Sequence, residues 1–67
     1  MKYIGVDKDN DCYMYATKPD WNDIYWIVSL GIYCGYIPKG VLPPLEPCCL
    51  YKITKDAYVM IEDRRKK

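Results

Sequence analysis

The stretch KYIGVDKDNDCYMYAT, residues 2–17, decides how the chain is read. Residues 2–6 alternate, with Tyr3 and Gly5 on one side and Ile4 and Val6 on the other. Residues 12–17 alternate again: Tyr13 and Tyr15 share one face, and Cys12, Met14 and Ala16 share the other. A period of two is the signature of a strand with two distinct faces. Between the runs lies DKDND. Asp and Asn favour turns because their side chains bond nearby backbone and tolerate left-handed dihedrals. The segment is therefore expected to be a β-hairpin.

The same turn carries Asp7, Asp9 and Asp11 at alternate positions, as the opening of a calcium loop would. An EF-hand loop also requires Gly at its sixth position, a closing Glu at its twelfth, and helices on both sides. Here those positions hold Cys12 and Lys18, and the flanks read as strands. An acidic turn without a bound metal is expected.

Beyond the hairpin, Lys18-Pro19 ends the second strand, since Pro cannot donate to a ladder. Asp20-Trp21-Asn22-Asp23 reads as a polar loop carrying one Trp. Residues 24–29, IYWIVS, are β-branched and aromatic and read as a strand. Leu30-Gly31 allows a turn, and residues 32–38, IYCGYIP, read as the next strand, with Gly35 marking a bulge or a close approach. A helix over 24–34 competes, because Ile24, Ile27, Val28 and Gly31 fall on one helical face; the β-branched content favours strands. Residues 39–47, KGVLPPLEP, contain three Pro and one Gly and cannot be regular throughout. They are expected to lie over the core, anchored by Val41, Leu42 and Leu45. Residues 50–54 and 57–62 form a second expected hairpin around Lys55-Asp56, with a single helical turn at 48–50 as the alternative. The expected fold is mostly β: a small, twisted antiparallel sheet of five or six strands, with closure like an SH3-type barrel as one outcome and at most one short helical turn. Residues 1–63 read as one small domain and 64–67 as a basic tail.

Composition narrows the function classes. Sixty-seven residues make one domain, and a chain of this size buries only about 60% of its unfolded surface. Its aromatics are eight Tyr and two Trp, with no Phe. Both types join an apolar face to a polar tip, which suits half-buried rings and binding faces. The net charge is +1, made of −3 over residues 1–63 and +4 from Arg64-Arg65-Lys66-Lys67. Cations are not spread over the body, which argues against a fold-wide nucleic-acid surface. The terminal run is expected to be solvated. The longest uncharged run, residues 24–38, is short for a membrane-spanning helix and contains two Gly. No signal-like segment is visible, so a cytoplasmic location is expected.

There is no His, which excludes any triad built on one. The four Cys (Cys12, Cys34, Cys48, Cys49) lack the paired spacing of a zinc site. They are expected to be reduced thiols, with Cys12 and Cys34 as small buried residues. SLGIYCG, residues 29–35, lacks the Lys-Ser/Thr of a phosphate loop. The expectation is a protein that is not an enzyme, with no catalytic residue, no cofactor and no metal.

KYIGVDKDNDCYMYATKP, an aromatic strand, YCGYIPKG and then CLYKI together resemble a loose group of short, uncharacterised proteins of bacteriophages and mobile elements. The likeness covers residues 2–19 well and 33–53 poorly. It departs at Asn10-Asp11, where the group usually has Asp-Gly, and it does not extend over 55–67. The resemblance implies a small phage-like accessory protein in a bacterial host. Such proteins commonly act by occupying a host protein.

Three functions follow as expectations. The first is a protein-binding module that inhibits a host defence factor such as a CRISPR nuclease. Asp7, Asp9, Asp11, Asp20 and Asp23 would imitate phosphate in a basic groove, and Tyr13, Tyr15, Trp21 and Tyr25 would anchor the contact. The second is a self-associating structural or accessory protein, pairing as a homodimer through an exposed sheet edge. The third is a single-strand nucleic-acid binder that stacks bases on Tyr and Trp, with Lys52, Lys55 and the tail as cations. The acidic body makes direct nucleic-acid binding the least favoured.

Overall fold

A computed structural model of the chain describes residues 2–28 and 34–65. Among the described residues seven strands follow one another: β1 (Tyr3–Val6), β2 (Cys12–Tyr15), β3 (Asp20–Trp21), β4 (Trp26–Ile27), β5 (Cys34–Ile37), β6 (Cys49–Ile53) and β7 (Tyr58–Asp63). Five form one antiparallel sheet in the order β5-β2-β1-β6-β7, and β3 and β4 form a separate two-stranded ribbon. There is no helix among the described residues.

The expected first hairpin is present. Tyr3 pairs with Tyr15 and Val6 with Cys12. The turn closes through Asp7 N–H to Asp11 O at 2.8 Å and Asn10 N–H to Asp7 O at 2.9 Å. Asn10 takes the left-handed dihedral there, with φ 74°, a conformation Asn adopts more readily than most residues. The second hairpin is present as well. Thr54 holds its turn, donating its amide and its hydroxyl to Ala57 O at 2.8 and 2.7 Å. Opposite Leu50 and Tyr51 the register shifts, leaving Ile61 as the extra residue of a bulge.

Strand alternation gives the sheet two unlike faces. One buries Ile4, Val6, Ile37, Cys49 and Tyr51, with Cys12, Met14 and Ile53 packed beside them. The Pro-rich segment 38–48 covers this aliphatic face through Leu42 and Leu45. It is tied down where Tyr51 Oη accepts the Glu46 amide at 2.9 Å. The other face carries Tyr3, Tyr13, Tyr15 and Leu50, and the β3–β4 ribbon covers it with Trp21, Trp26 and Val28.

Several expectations are corrected. Asp20-Trp21 is not a loop but one strand of the ribbon. Of the expected strand 24–29, the described residues 24–28 hold strand at Trp26–Ile27, which pairs with β3 rather than joining the main sheet; residue 29 lies outside the described residues. The reason is local. Asn22 Oδ1 accepts the amides of Ile24 and Tyr25 at 3.0 and 2.8 Å. With Asp23 at φ 80°, this makes a tight turn where a continuous strand was expected. The sheet does not close into a barrel, because β5 and β7 remain edges. Residues 48–50 form no helical turn: Cys48, at φ 62°, leads directly into β6. Val41 is exposed and does not anchor the Pro-rich segment. Cys49 is fully buried and Cys12 is half-buried; the burial expected of Cys34 lies outside the described side chains. The turn expected at Leu30-Gly31 and the first two residues of the strand expected at 32–38 lie outside the described residues. Arg64 and Arg65 are tied to the body: the Arg64 amide donates to Cys48 O at 2.9 Å, and Arg65 pairs with Asp63 and Glu46 at 2.7 and 3.1 Å.

Candidate functional site

The site is built around Trp26. Its indole N–H donates to Val6 O at 3.1 Å, its amide donates to Asp7 Oδ1 at 3.2 Å, and its carbonyl accepts the Tyr15 hydroxyl at 3.0 Å. These bonds satisfy the polar atoms of a residue only 3% exposed, as burial of Trp and Tyr requires. The ring lies directly over Gly5. A Cβ on residue 5 would stand 2.8 Å from the Trp26 ring and 2.9 Å from the Tyr15 ring. Glycine is needed here for space. Trp21 packs on Trp26 with ring centroids 5.0 Å apart. Lys8 N–H to Ile24 O, at 3.0 Å, fastens the ribbon's turn to the acidic turn.

This packing leaves a hollow of about 390 Å³, lined by Asp7, Tyr13, Tyr15, Tyr25, Trp26, Ile27 and Val28. Tyr15 and Trp26 are its buried members, while Tyr25 and Ile27 are exposed. Tyr13 meets the exposed Tyr36 edge-to-face at 5.3 Å, extending the aromatic surface across β2 and β5. A smaller hollow of about 240 Å³, lined by Asp7, Lys8, Asp9, Ile24 and Tyr25, adjoins it. Asp7 and Tyr25 belong to both. Burial pushes the Asp7 carboxyl up to about 6; the Trp26 amide opposes the rise, and the charges of Asp9 and Asp11 add to it.

The residues singled out from sequence separate into two groups. Asp7, Tyr13, Tyr15 and Tyr25 come together around the hollow, and Asp9 joins them at its neighbour. Trp21 supports Trp26 from the ribbon. Asp11 does not add to an open anionic face, because Lys39 pairs with it at 3.0 Å. Asp9 turns one oxygen to the Asp11 amide at 3.2 Å. Asp20 and Asp23 are exposed on the ribbon and do not line either hollow. The carboxylates thus do not form a phosphate-like row; the geometry sets one acid among aromatic rings. Sequence reasoning missed Ile24, Trp26, Ile27, Val28 and Tyr36. A signal was present: five consecutive apolar residues at 24–28 cannot all face inward from a strand.

The arrangement is suited to binding. Among the described residues, no three His, Cys, Asp or Glu side chains gather as a metal-binding group. The Cys49 thiol is pushed up to about 11 by burial and by its bond to Asp63, so it is a poor nucleophile. Among the described residues, no helix is long and apolar enough to cross a membrane. Compared with protein-family models, curated proteins and solved structures, the chain matches none of them.

Proposed function

We propose that the chain is a phage-type protein-binding module that occupies a host protein, in the class of nucleic-acid-handling defence enzymes such as CRISPR nucleases. Its contact surface is the aromatic hollow with Asp7 at its wall. The observation that supports this reading is the joining of one half-buried carboxylate to Tyr13, Tyr15, Tyr25 and Trp26. Aromatic faces attract cations, and a carboxylate supplies the counter-charge. The complement of such a hollow is a Lys or Arg side chain, and enzymes that handle nucleic acid carry many of these in their grooves. Aromatic residues with exposed apolar neighbours, here Ile24, Ile27 and Tyr36, are the usual anchors of a protein interface. Direct nucleic-acid binding is less well supported. The exposed Tyr25 stands beside Asp7 and Asp9, whereas Lys52 and Lys55 belong to the β6–β7 half of the sheet.

The test is capture from a host lysate, followed by titration of the captured protein. The double variant Tyr25→Ala/Ile27→Ala, with its fold checked by circular dichroism, is expected to weaken binding at least tenfold. Association is also expected to weaken as pH falls below about 6, where Asp7 takes up its proton. Unchanged affinity in the double variant would remove the hollow as the contact surface.

A further inference from the structure

We infer that strand β7 is a self-association edge, pairing antiparallel with β7 of a second copy about a twofold axis near Val59 and Met60. Strand β7 is an outer strand of the sheet, so one row of its amides and carbonyls has no strand partner. It also exposes four apolar residues in succession: Tyr58 by 39%, Val59 by 47%, Met60 by 39% and Ile61 by 40%. The register assigns them to both sides of the sheet. Tyr58 and Met60 stand beside Ile53 and Tyr51 on the aliphatic side, and Val59 beside Lys52 on the tyrosine side. A partner packed on one face would leave the other side uncovered. An added strand flanks both sides and takes up the free backbone groups.

The second copy is the occupant that the edge's own chemistry fits. An antiparallel twofold lays the apolar block 57–61 against itself, because the block is apolar throughout. With Met60 on the axis, the flanks pass one another so that Asp56 of one chain faces Arg64 of the other, at both ends. Lys55 and Asp56 have no ion-pair partner among the described residues of their own chain. Strand β5, the opposite edge, is a poorer candidate: Pro38, which has no amide hydrogen to donate, follows it directly. The strands also devote Tyr36 to the contact with Tyr13. Pairing of a single strand buries less than the ~800 Å² per partner of a standard interface, so a dissociation constant of about 10 µM to 1 mM is expected.

The test is sedimentation equilibrium of the full chain across that concentration range, with amide exchange followed by NMR. The expected result is a monomer–dimer equilibrium in which concentration slows exchange at β7 alone. Val59→Lys/Ile61→Lys, which changes two exposed positions, is expected to give a monomer with an unchanged circular dichroism spectrum. Tyr25→Ala/Ile27→Ala is expected to leave the dimer intact, so this inference and the hollow's role fail independently. A monomer at all concentrations, protection at β5 instead, or a dimer insensitive to the two lysines would each overturn the proposal.

Discussion

The two faces of the five-stranded sheet solve the same problem in different ways. The aliphatic face is filled by Ile4, Val6, Ile37 and Cys49 and sealed by Leu42 and Leu45. Its core includes few polar atoms, and close packing is enough to hold it. The tyrosine face is filled by rings with polar tips, and each tip must be satisfied. Trp26 alone uses its indole, its amide and its carbonyl to do so. Because its cover is only a two-stranded ribbon, this face stays partly open, and the hollow is what remains. The difference teaches where function can reside in a domain this small. The face whose core residues Ile4, Val6 and Cys49 are fully buried supplies stability, and the face that closes through hydrogen-bonded rings keeps the larger concave surface.

Trp26→Ala should disturb this division most. It removes the ribbon's buried ring and the indole bond to Val6 O. A cost of about 3–5 kcal/mol is expected, a large share of the stability of such a domain. Urea denaturation measures it. A loss below 1 kcal/mol would mean that the tyrosine face contributes little to folding.

Gly5→Ala is a sharper and smaller probe, because it adds one methyl to the tyrosine side of β1 and nothing to the aliphatic side. With the Trp26 and Tyr15 rings under 3 Å from that methyl, a loss of about 1–3 kcal/mol is expected. The near-ultraviolet dichroism of the rings should change with it. A neutral or stabilised Gly5→Ala would show that the ribbon shifts freely over the sheet.

The smallest effect concerns Asp7 and has the opposite sign. Its folded pKa is raised from 3.8 to about 6, so the native state holds this proton more tightly than the unfolded chain. Stability from this group is therefore fully present below pH 4 and is lost as pH rises through 6. Full desolvation would make the loss about 3 kcal/mol. Asp7 is partly open to solvent, so on the order of 1 kcal/mol is expected. Asp7→Asn keeps an oxygen for the Trp26 amide. It should stabilise the protein at pH 7 by a similar amount and flatten its melting temperature between pH 4 and 7. It should also weaken partner binding, a trade of stability for function. An Asp7→Asn protein less stable than the parent at pH 7 would contradict the burial of that carboxylate.

Local pattern determined much of this molecule. Alternation at 3–6 and 12–15, with Asp and Asn between, specified the first hairpin and sorted Tyr13 and Tyr15 from Cys12 and Met14. The runs 50–54 and 57–62 around Lys55-Asp56 pointed to the second hairpin, which the structure forms from Cys49–Ile53 and Tyr58–Asp63. The Pro residues of 43–47 kept that segment out of the sheet. Four residues of the hollow (Asp7, Tyr13, Tyr15 and Tyr25) were legible because a carboxylate beside rings is visible in the chain itself. Tertiary structure alone decided which hairpins meet. The pairings of β1 with β6 and of β2 with β5 join residues distant in sequence, and no local period encodes a distant partner. The two-residue strands of the ribbon are too short to leave a period at all. The fate of each acid was likewise decided in space. Lys39 reaches Asp11 from 28 residues away, and the Trp26 amide reaches Asp7 from 19. Charge spacing along a chain says which groups can repel; only the folded neighbourhood says which are neutralised, buried or left free to bind.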